Sequence, residues 1–145
     1  MSLAPFHLAI PVDDLEAARA FYGGVLGFSE GRCDTGWIDW NFGGHQVVTH
    51  QVGDGRSDAP REGIAGTNPV DGHQVPVPHF GLVLPVAQFK ELAARLTAAG
   101  TAFVIEPYVR FEGRPGEQWT MFFLDPAGNA LEFKAFADLA QLFAV

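Results

Sequence analysis

The sequence is poor in cysteine and in basic residues. Cys33 is the only cysteine among the 145 residues, so no disulfide can form within the chain. Nine Lys and Arg residues stand against 17 Asp and Glu residues, which gives a formal net charge of −8. The chain therefore lacks the cluster of cations that a nucleic-acid-binding protein uses to neutralise phosphates. We expect no nucleic-acid partner.

Long apolar runs are also missing. No stretch approaches the roughly 18 consecutive apolar residues of a membrane-spanning helix, and the N-terminus does not resemble a signal peptide. Together with the single cysteine, these features predict a cytoplasmic protein with no membrane partner. Hydrophobic residues make up 48% of the chain and charged residues 18%, which is typical of a compact globular protein.

The sequence does contain an internal repeat. Hydrophobic periodicity and turn residues predict the order strand, helix and three strands twice, over residues 5–52 and again over residues 77–135. Between them, residues 53–76 are rich in Gly, Pro and polar residues and are predicted to form a long connecting loop. We therefore predict one α+β domain, residues 1–145, in which two βαβββ modules form a cup-shaped mixed sheet.

Both predicted helices have recognisable ends. In the first, Asp13 and Glu16 suit an N-terminal capping box, and Gly27 suits the position just beyond the C-terminus. The second helix, with apolar residues at helical spacing from Val86 to Ala99, is predicted to end at Gly100. A short terminal helix is predicted over residues 137–143.

The last predicted hairpin has the clearest turn, Asp125-Pro-Ala-Gly-Asn129, because proline presets φ and glycine tolerates a positive φ. Its second strand places Glu132 between Leu131 and Phe133, so alternation directs the carboxylate to the opposite face from these apolar neighbours. A carboxylate beside such hydrophobic strands requires a partner charge or a metal ion.

The repeat aligns His7 with His79 at the start of the two modules, and Val48 with Glu132 in their last strands. If the modules are related by a pseudo-twofold axis, His7, His79 and Glu132 converge at one cavity. Two histidines and one carboxylate form the set that binds a divalent first-row metal with positions open for substrate. A core histidine with a satisfied hydrogen bond remains the alternative for either imidazole alone.

The chain resembles the vicinal oxygen chelate superfamily, which includes glyoxalase I, type I extradiol dioxygenases and resistance proteins for fosfomycin and bleomycin. The similarity extends from FHLAIPVDDLEAARAFYGGVLGF to FFLDPAGNALEF and is strongest at DPAGNALEF. The resemblance implies paired βαβββ modules, a metal held by His7, His79 and Glu132, and a small-molecule substrate that chelates the metal through neighbouring oxygens. It also implies a homodimer.

The departures from family patterns favour the dioxygenase-like branch. Glyoxalase I has a fourth ligand where this chain has Val48, and Gln46 on the same face is a weaker candidate. The resemblance to dioxygenases makes His50 the expected acid or base, with Tyr108 supplying a phenol. The predicted substrate-binding residues are Gln46, Phe122 and Arg114. Phe122 stands where the dioxygenase signature has a tyrosine.

The sequence thus predicts a metal-dependent dioxygenase acting on a catecholic or vicinal-oxygen substrate. Fe(II) is the preferred metal, and Mn(II), Zn(II) and Ni(II) are alternatives. A non-catalytic protein that binds a drug or metabolite, and an isomerase or lyase of the glyoxalase type, remain open as alternative functions.

Overall fold

A computed structural model describes residues 2–53 and 66–145 of the chain. It divides the chain into two compact units, the first comprising Met1–Arg61 with Asp125–Asn129 and the second Glu62–Leu124 with Ala130–Val145. Each unit contains a four-stranded mixed sheet, in the orders β1-β4-β3-β2 and β7-β10-β9-β8. The two predicted βαβββ modules are therefore confirmed.

The first unit follows its predicted elements closely. Its strands are β1 (His7–Val12), β2 (Ser29–Asp34), β3 (Trp37–Phe42) and β4 (His45–Gln51), and its helix comprises α1 (Leu15–Ala18) and a π-helical continuation (Arg19–Val25). Strands β1 and β4 are parallel, and the other neighbours are antiparallel. A predicted detail is wrong at the helix start, because Asp14 rather than Asp13 caps the helix and accepts hydrogen bonds from the amides of Glu16 and Ala17.

One glycine of the helix has a packing role in this unit. A Cβ added at Gly23 would lie 3.2 Å from the buried Trp40 ring, so this glycine lets the helix approach the sheet closely. Beyond the helix, Gly27 has a φ of 78° and ends it as predicted. Trp40 and Tyr22 are fully buried and stack obliquely at 5.9 Å, which forms the centre of the core here.

The second unit contains β7 (Val83–Leu84), α2 (Val86–Ala98), β8 (Phe103–Arg110), β9 (Gln118–Leu124) and β10 (Ala130–Phe136), followed by a 3₁₀ turn (Leu139–Phe143). Strand β8 lies at the sheet edge and has two register shifts, as expected for a strand containing a proline. The predicted terminal helix is shorter than expected, and the opening strand is only two residues long. Pro85 directly follows that strand and donates no backbone hydrogen bond.

One face of the second sheet packs against α2 and forms a hydrophobic core. That core consists of Phe89, Leu92, Leu96, Met121, Phe123, Leu131 and Phe133, all of them buried. Because side chains alternate along a strand, the opposite face presents Thr120 and Phe122 on β9 and Glu132 and Lys134 on β10. The carboxylate of Glu132 therefore lies on the face opposite this hydrophobic core.

The segment between the modules is not only a loop. It contains a hairpin of β5 (Gly66–Val70) and β6 (His73–Val77), so the prediction of a loop over residues 53–76 is wrong for this part. The turn is Asp71-Gly72, both with positive φ, which is the preferred chemistry of a two-residue hairpin turn. The remainder of that predicted loop, residues 54–65, lies outside the described residues.

The Asp125–Asn129 turn is held by a buried carboxylate. Asp125 Oδ1 accepts hydrogen bonds from the amides of Ala127 and Asn129, and Oδ2 accepts from the Tyr22 hydroxyl and Asn129 Nδ2, all at 2.8–2.9 Å. Burial raises the pKa of Asp125, against the opposing effect of these donors.

In the described part of the chain, no helix is long and apolar enough to cross a membrane.

Candidate metal centre

Strand register sets the position of Glu132 in the second unit. Glu132 pairs with Phe122 across the β9–β10 hairpin, and its backbone N–H donates to the carbonyl of Phe80 on the opening segment. Leu131 and Phe133 are fully buried on the opposite face. The predicted orientation of Glu132, opposite to these neighbours, is confirmed, and only 13% of its side chain is exposed.

His79 is the partner of this carboxylate. Its Nε2 lies 2.9 Å from Glu132 Oε2, and its ring meets the edge of the Phe122 ring with centroids 5.0 Å apart. The other ring nitrogen, Nδ1, lies 2.7 Å from the carbonyl oxygen of Pro76. Because a carbonyl oxygen can only accept, Nδ1 must carry a proton there.

This tautomer has a direct electrostatic consequence. With the proton on Nδ1, a neutral imidazole turns the Nε2 lone pair towards an anionic oxygen, which is repulsive. A cation held between the two atoms removes this repulsion, and a divalent metal ion bound to both groups would supply it. A metal-binding histidine typically donates its other N–H to a carbonyl in this way.

Two further side chains contact the remaining oxygen of Glu132. Thr120 donates its hydroxyl to Oε1 at 2.7 Å, and Lys134 Nζ lies 3.6 Å from the same oxygen. Both residues lie on the same face as Glu132, since Thr120 and Lys134 are paired across the hairpin. These contacts turn Oε1 towards the sheet and leave Oε2 facing His79.

In the first unit, His7 has a comparable arrangement. His7 is exposed, and its Nδ1 lies 2.7 Å from Oε1 of Gln46, its register partner in β4. The amide oxygen accepts, so Nδ1 again carries the proton and Nε2 has a free lone pair. Extending the register of the isolated Phe80–Leu131 bridge by one residue pairs His79 with Ala130. His7 then corresponds to His79, and Val48 to Glu132, as the repeat predicts.

The other predicted residues have varied surroundings. His50 is exposed near the end of β4, on the same face as Gln46 and Val48. Tyr108 lies on β8, and its hydroxyl donates to Asp71 at 3.2 Å. Burial, reinforced by Asp71, raises the pKa of Tyr108. Arg114 is exposed in the turn between β8 and β9, where its backbone closes hydrogen bonds with Phe111 and Glu117.

Among residues 2–53 and 66–145, no three His, Cys, Asp or Glu side chains are grouped closely enough to hold a metal ion. Within the second unit, His79 and Glu132 provide two donors of the expected set. Their chemistry fits a divalent metal, because an imidazole nitrogen and a carboxylate oxygen face each other with their other atoms already bonded. The inclusion of His7, which belongs to the first unit, stays a prediction.

Sequence reasoning missed four residues around this face, namely Asp71, Arg110, Gln118 and Thr120. Thr120 follows from hairpin register once Glu132 is chosen, since it lies diagonally across the strand pair. The Asp71-Gly72 dipeptide is typical of a hairpin turn and could have indicated the position of Asp71. No sequence pattern pairs Asp71 with Arg110, because their contact depends on where the hairpin packs.

Comparison with known proteins finds a matching family and similar solved structures. The family model described as "Glyoxalase/Bleomycin resistance protein/Dioxygenase superfamily" matches residues 5–133. No curated protein matches the chain significantly. A crystal structure of a glyoxalase/bleomycin resistance protein/dioxygenase from Alicyclobacillus acidocaldarius is similar, with 33% identity, a TM-score of 0.72, and coverage of 97% of this chain and 96% of that one.

Two more distant structures share the fold. Lactoylglutathione lyase from Agrobacterium tumefaciens is 20% identical with a TM-score of 0.65, and the match covers 98% of this chain and 97% of that one. A genomically encoded fosfomycin resistance protein from Listeria monocytogenes is 16% identical with a TM-score of 0.67, and covers 97% and 98% of the two chains. At these identities the likeness concerns the fold alone.

Proposed function

The chain belongs to the glyoxalase/bleomycin resistance protein/dioxygenase superfamily, and we propose that it is a metal-dependent enzyme acting on a small substrate with neighbouring oxygens. The observation that supports this most is the His79–Glu132 pair. Nε2 and Oε2 lie 2.9 Å apart, while Nδ1 is bonded to the Pro76 carbonyl and Oε1 to Thr120. Every other polar atom of the pair is occupied, so these two atoms are the ones available to a cation.

We propose His7 as the third ligand. Its Nδ1 is bonded to Gln46, and this leaves Nε2 as the metal-binding nitrogen, as in His79. Gln46 then positions His7 rather than ligating the metal itself, because its amide oxygen is already engaged. Val48, which aligns with Glu132, is buried and has no donor atom. These features favour a set of three protein ligands.

A set of two histidines and one carboxylate is typical of non-haem Fe(II) enzymes that activate dioxygen, so the finer proposal is a dioxygenase-like reaction with Fe(II). The metal would polarise and position the substrate oxygens. His50, on the same sheet face as Gln46, would transfer a proton to or from the substrate. Tyr108 would donate a hydrogen bond from its phenolic hydroxyl, whose pKa is raised by burial and by Asp71.

An anaerobic reconstitution tests this proposal. The purified chain is loaded with Fe(II), Mn(II), Zn(II) or Ni(II) and assayed with a series of catechols under oxygen and with a thiohemiacetal. We expect ring cleavage with Fe(II), lowered by roughly 10²–10⁴-fold in His50→Phe at unchanged metal content. Turnover of the thiohemiacetal alone would indicate the lyase alternative. Metal binding without turnover of either class would contradict the proposed enzyme.

We also propose that the chain forms a homodimer, as the resemblance to this superfamily implies. We propose the cytoplasm as its location, because a single cysteine suits a reducing compartment. Light scattering of the purified chain decides the first point, with a mass of about twice 15.7 kDa expected.

A further inference from the structure

Asp71, at the tip of the β5–β6 hairpin, contacts two hydrogen-bond donors, Tyr108 and Arg110, on the edge strand β8 of the second sheet. Its Oδ2 accepts a hydrogen bond from the Tyr108 hydroxyl at 3.2 Å and forms an ion pair with Arg110 Nε. Its Oδ1 accepts from Arg110 Nη2 at 3.4 Å. A guanidinium fork beside a phenol is a geometry suited to carboxylate or phosphate oxygens.

Asp71 satisfies these donors incompletely. In the described part of the chain, Arg110 Nε is buried without a hydrogen-bond partner, because its contact with Asp71 lacks hydrogen-bond geometry. The neighbouring Gln118, paired with Arg110 across β8 and β9, has a buried Oε1 that is also unpartnered. Gln118 as a whole is only 8% exposed. Buried polar atoms without partners are uncommon in native proteins and call for an explanation.

The donor pair lies on the same sheet face as Glu132. Tyr108 pairs with Thr120 on β9, and Thr120 pairs with Lys134 on β10 and donates to Glu132. Two strand spacings separate β8 from β10, which is about 10 Å. A small organic molecule spans this distance, so one end can reach the donor pair while the other reaches Glu132.

We infer that Arg110 and Tyr108 form a binding site for an anionic group of the substrate, a carboxylate or a phosphate, and that Asp71 is displaced from them when it binds. Gln118 Oε1 would then accept a hydrogen bond from the reoriented guanidinium. The assignment to the substrate rests on the proposed function, whereas the anion site itself does not. The side chain of Asp71 is 40% exposed, so an incoming anion can reach and replace it.

Calorimetric titration of the full chain with inorganic phosphate tests the site. Asp71→Asn removes the competing charge, and asparagine tolerates the left-handed backbone at this turn. We expect Asp71→Asn to bind phosphate about three- to fivefold more tightly than the unmodified chain, the range expected from loss of an exposed ion pair. Arg110→Gln should weaken binding by at least about tenfold. Arg95→Gln, the same change on the exposed surface of α2, should leave it unaltered.

The controls separate this site from the metal centre. Glu132→Gln removes a proposed metal ligand but keeps Arg110 and Tyr108, so phosphate binding should persist in that variant. Loss of phosphate binding in Glu132→Gln would overturn the inference, since it would place the anion on the metal. Equal affinities in the unmodified chain and Asp71→Asn would also overturn it. If circular dichroism shows that Arg110→Gln does not fold, the Asp71→Asn measurement decides alone.

Discussion

The hydroxyl group of Thr120 makes the closest side-chain contact with Glu132. Thr120 donates to Oε1 at 2.7 Å and is itself only 2% exposed, so no water can easily replace it. The hydrogen bond leaves Oε2 directed at His79. A residue that orients a metal ligand in this way typically contributes one to two orders of magnitude to metal affinity.

We predict that Thr120→Val lowers the affinity for a divalent metal by about 10–100-fold while the fold is kept. Valine has nearly the same shape, so the β9–β10 pairing should persist, but Oε1 loses its donor. Equilibrium dialysis with metal analysis measures the effect. Thr97→Val is a matched control, because the Thr97 hydroxyl only bonds a carbonyl within α2. Equal metal affinity in both variants would show that Thr120 does not position Glu132.

Asp125 is the second residue whose role the structure defines closely. Each of its two oxygens accepts two hydrogen bonds. An asparagine can place its oxygen on only one side, so its amide group must face two donors on the other. We predict that Asp125→Asn lowers the free energy of unfolding at neutral pH by about 1–3 kcal/mol, because two buried donors lose their acceptor. Urea denaturation measures this loss.

The stability that Asp125→Asn loses depends on pH in a definite direction. Burial raises the pKa of Asp125 in the folded chain above its unfolded value. The folded chain therefore binds this proton more tightly than the unfolded chain does. The contribution of Asp125 to the free energy of unfolding is fully present below the unfolded pKa, and it is lost as pH rises through the folded pKa. The stability difference between the unmodified chain and Asp125→Asn should widen as pH falls through this window. A difference that narrows on acidification would contradict the raised pKa.

At the level of elements, the opening segment of the second module approaches β10 unusually closely. A Cβ added at Gly81 would lie 1.7 Å from the carbonyl oxygen of Glu132, closer than any real contact. The backbone hydrogen bond from Glu132 N to Phe80 O, at 2.9 Å, keeps the two segments in register. Glycine at this position therefore allows the segment carrying His79 to lie against the strand carrying Glu132.

We predict that Gly81→Ala separates these two segments, destabilises the fold by at least about 1–3 kcal/mol and weakens metal binding. Gly24→Ala is the control, since a Cβ there meets nothing within 4 Å. Replacing a helical glycine with alanine should stabilise the chain by roughly 0.5–1 kcal/mol. Thermal denaturation and metal analysis of both variants provide the comparison. Full stability of Gly81→Ala would mean that the two segments can move apart without cost.

The elements with regular patterns could be predicted from sequence, and the irregular ones could not. Strand β3 (Trp37–Phe42) and strand β10 (Ala130–Phe136) lie where the repeat predicts strands, because alternation and flanking glycine turns define them. The β5–β6 hairpin escaped prediction since Gly66, Asn68 and Pro69 have low strand propensity, and the strand is mostly exposed. Its stability comes from packing of Val75 against Ile105 and Phe122, which is a tertiary effect.

For the molecule as a whole, the internal repeat is the most informative feature of the sequence. It predicted both βαβββ modules and the correspondence of His7 with His79, and the strand registers agree with it. The partner of each imidazole could not be predicted, because Pro76 and Gln46 reach the histidines through backbone geometry and strand pairing. The cluster of Asp71, Tyr108 and Arg110 likewise depends on long-range packing.

The most direct measurement is the metal content of the chain with and without Glu132. Purified protein and its Glu132→Ala variant are dialysed anaerobically against Fe(II), and bound metal is quantified by mass spectrometry while circular dichroism monitors the fold. Glu132 is the only anion in the proposed ligand set, and two neutral imidazoles bind a divalent ion far more weakly. We predict about one ion per chain in the unmodified protein and almost none in a folded Glu132→Ala variant. Stoichiometric metal in that variant would contradict the assignment of Glu132 as a ligand.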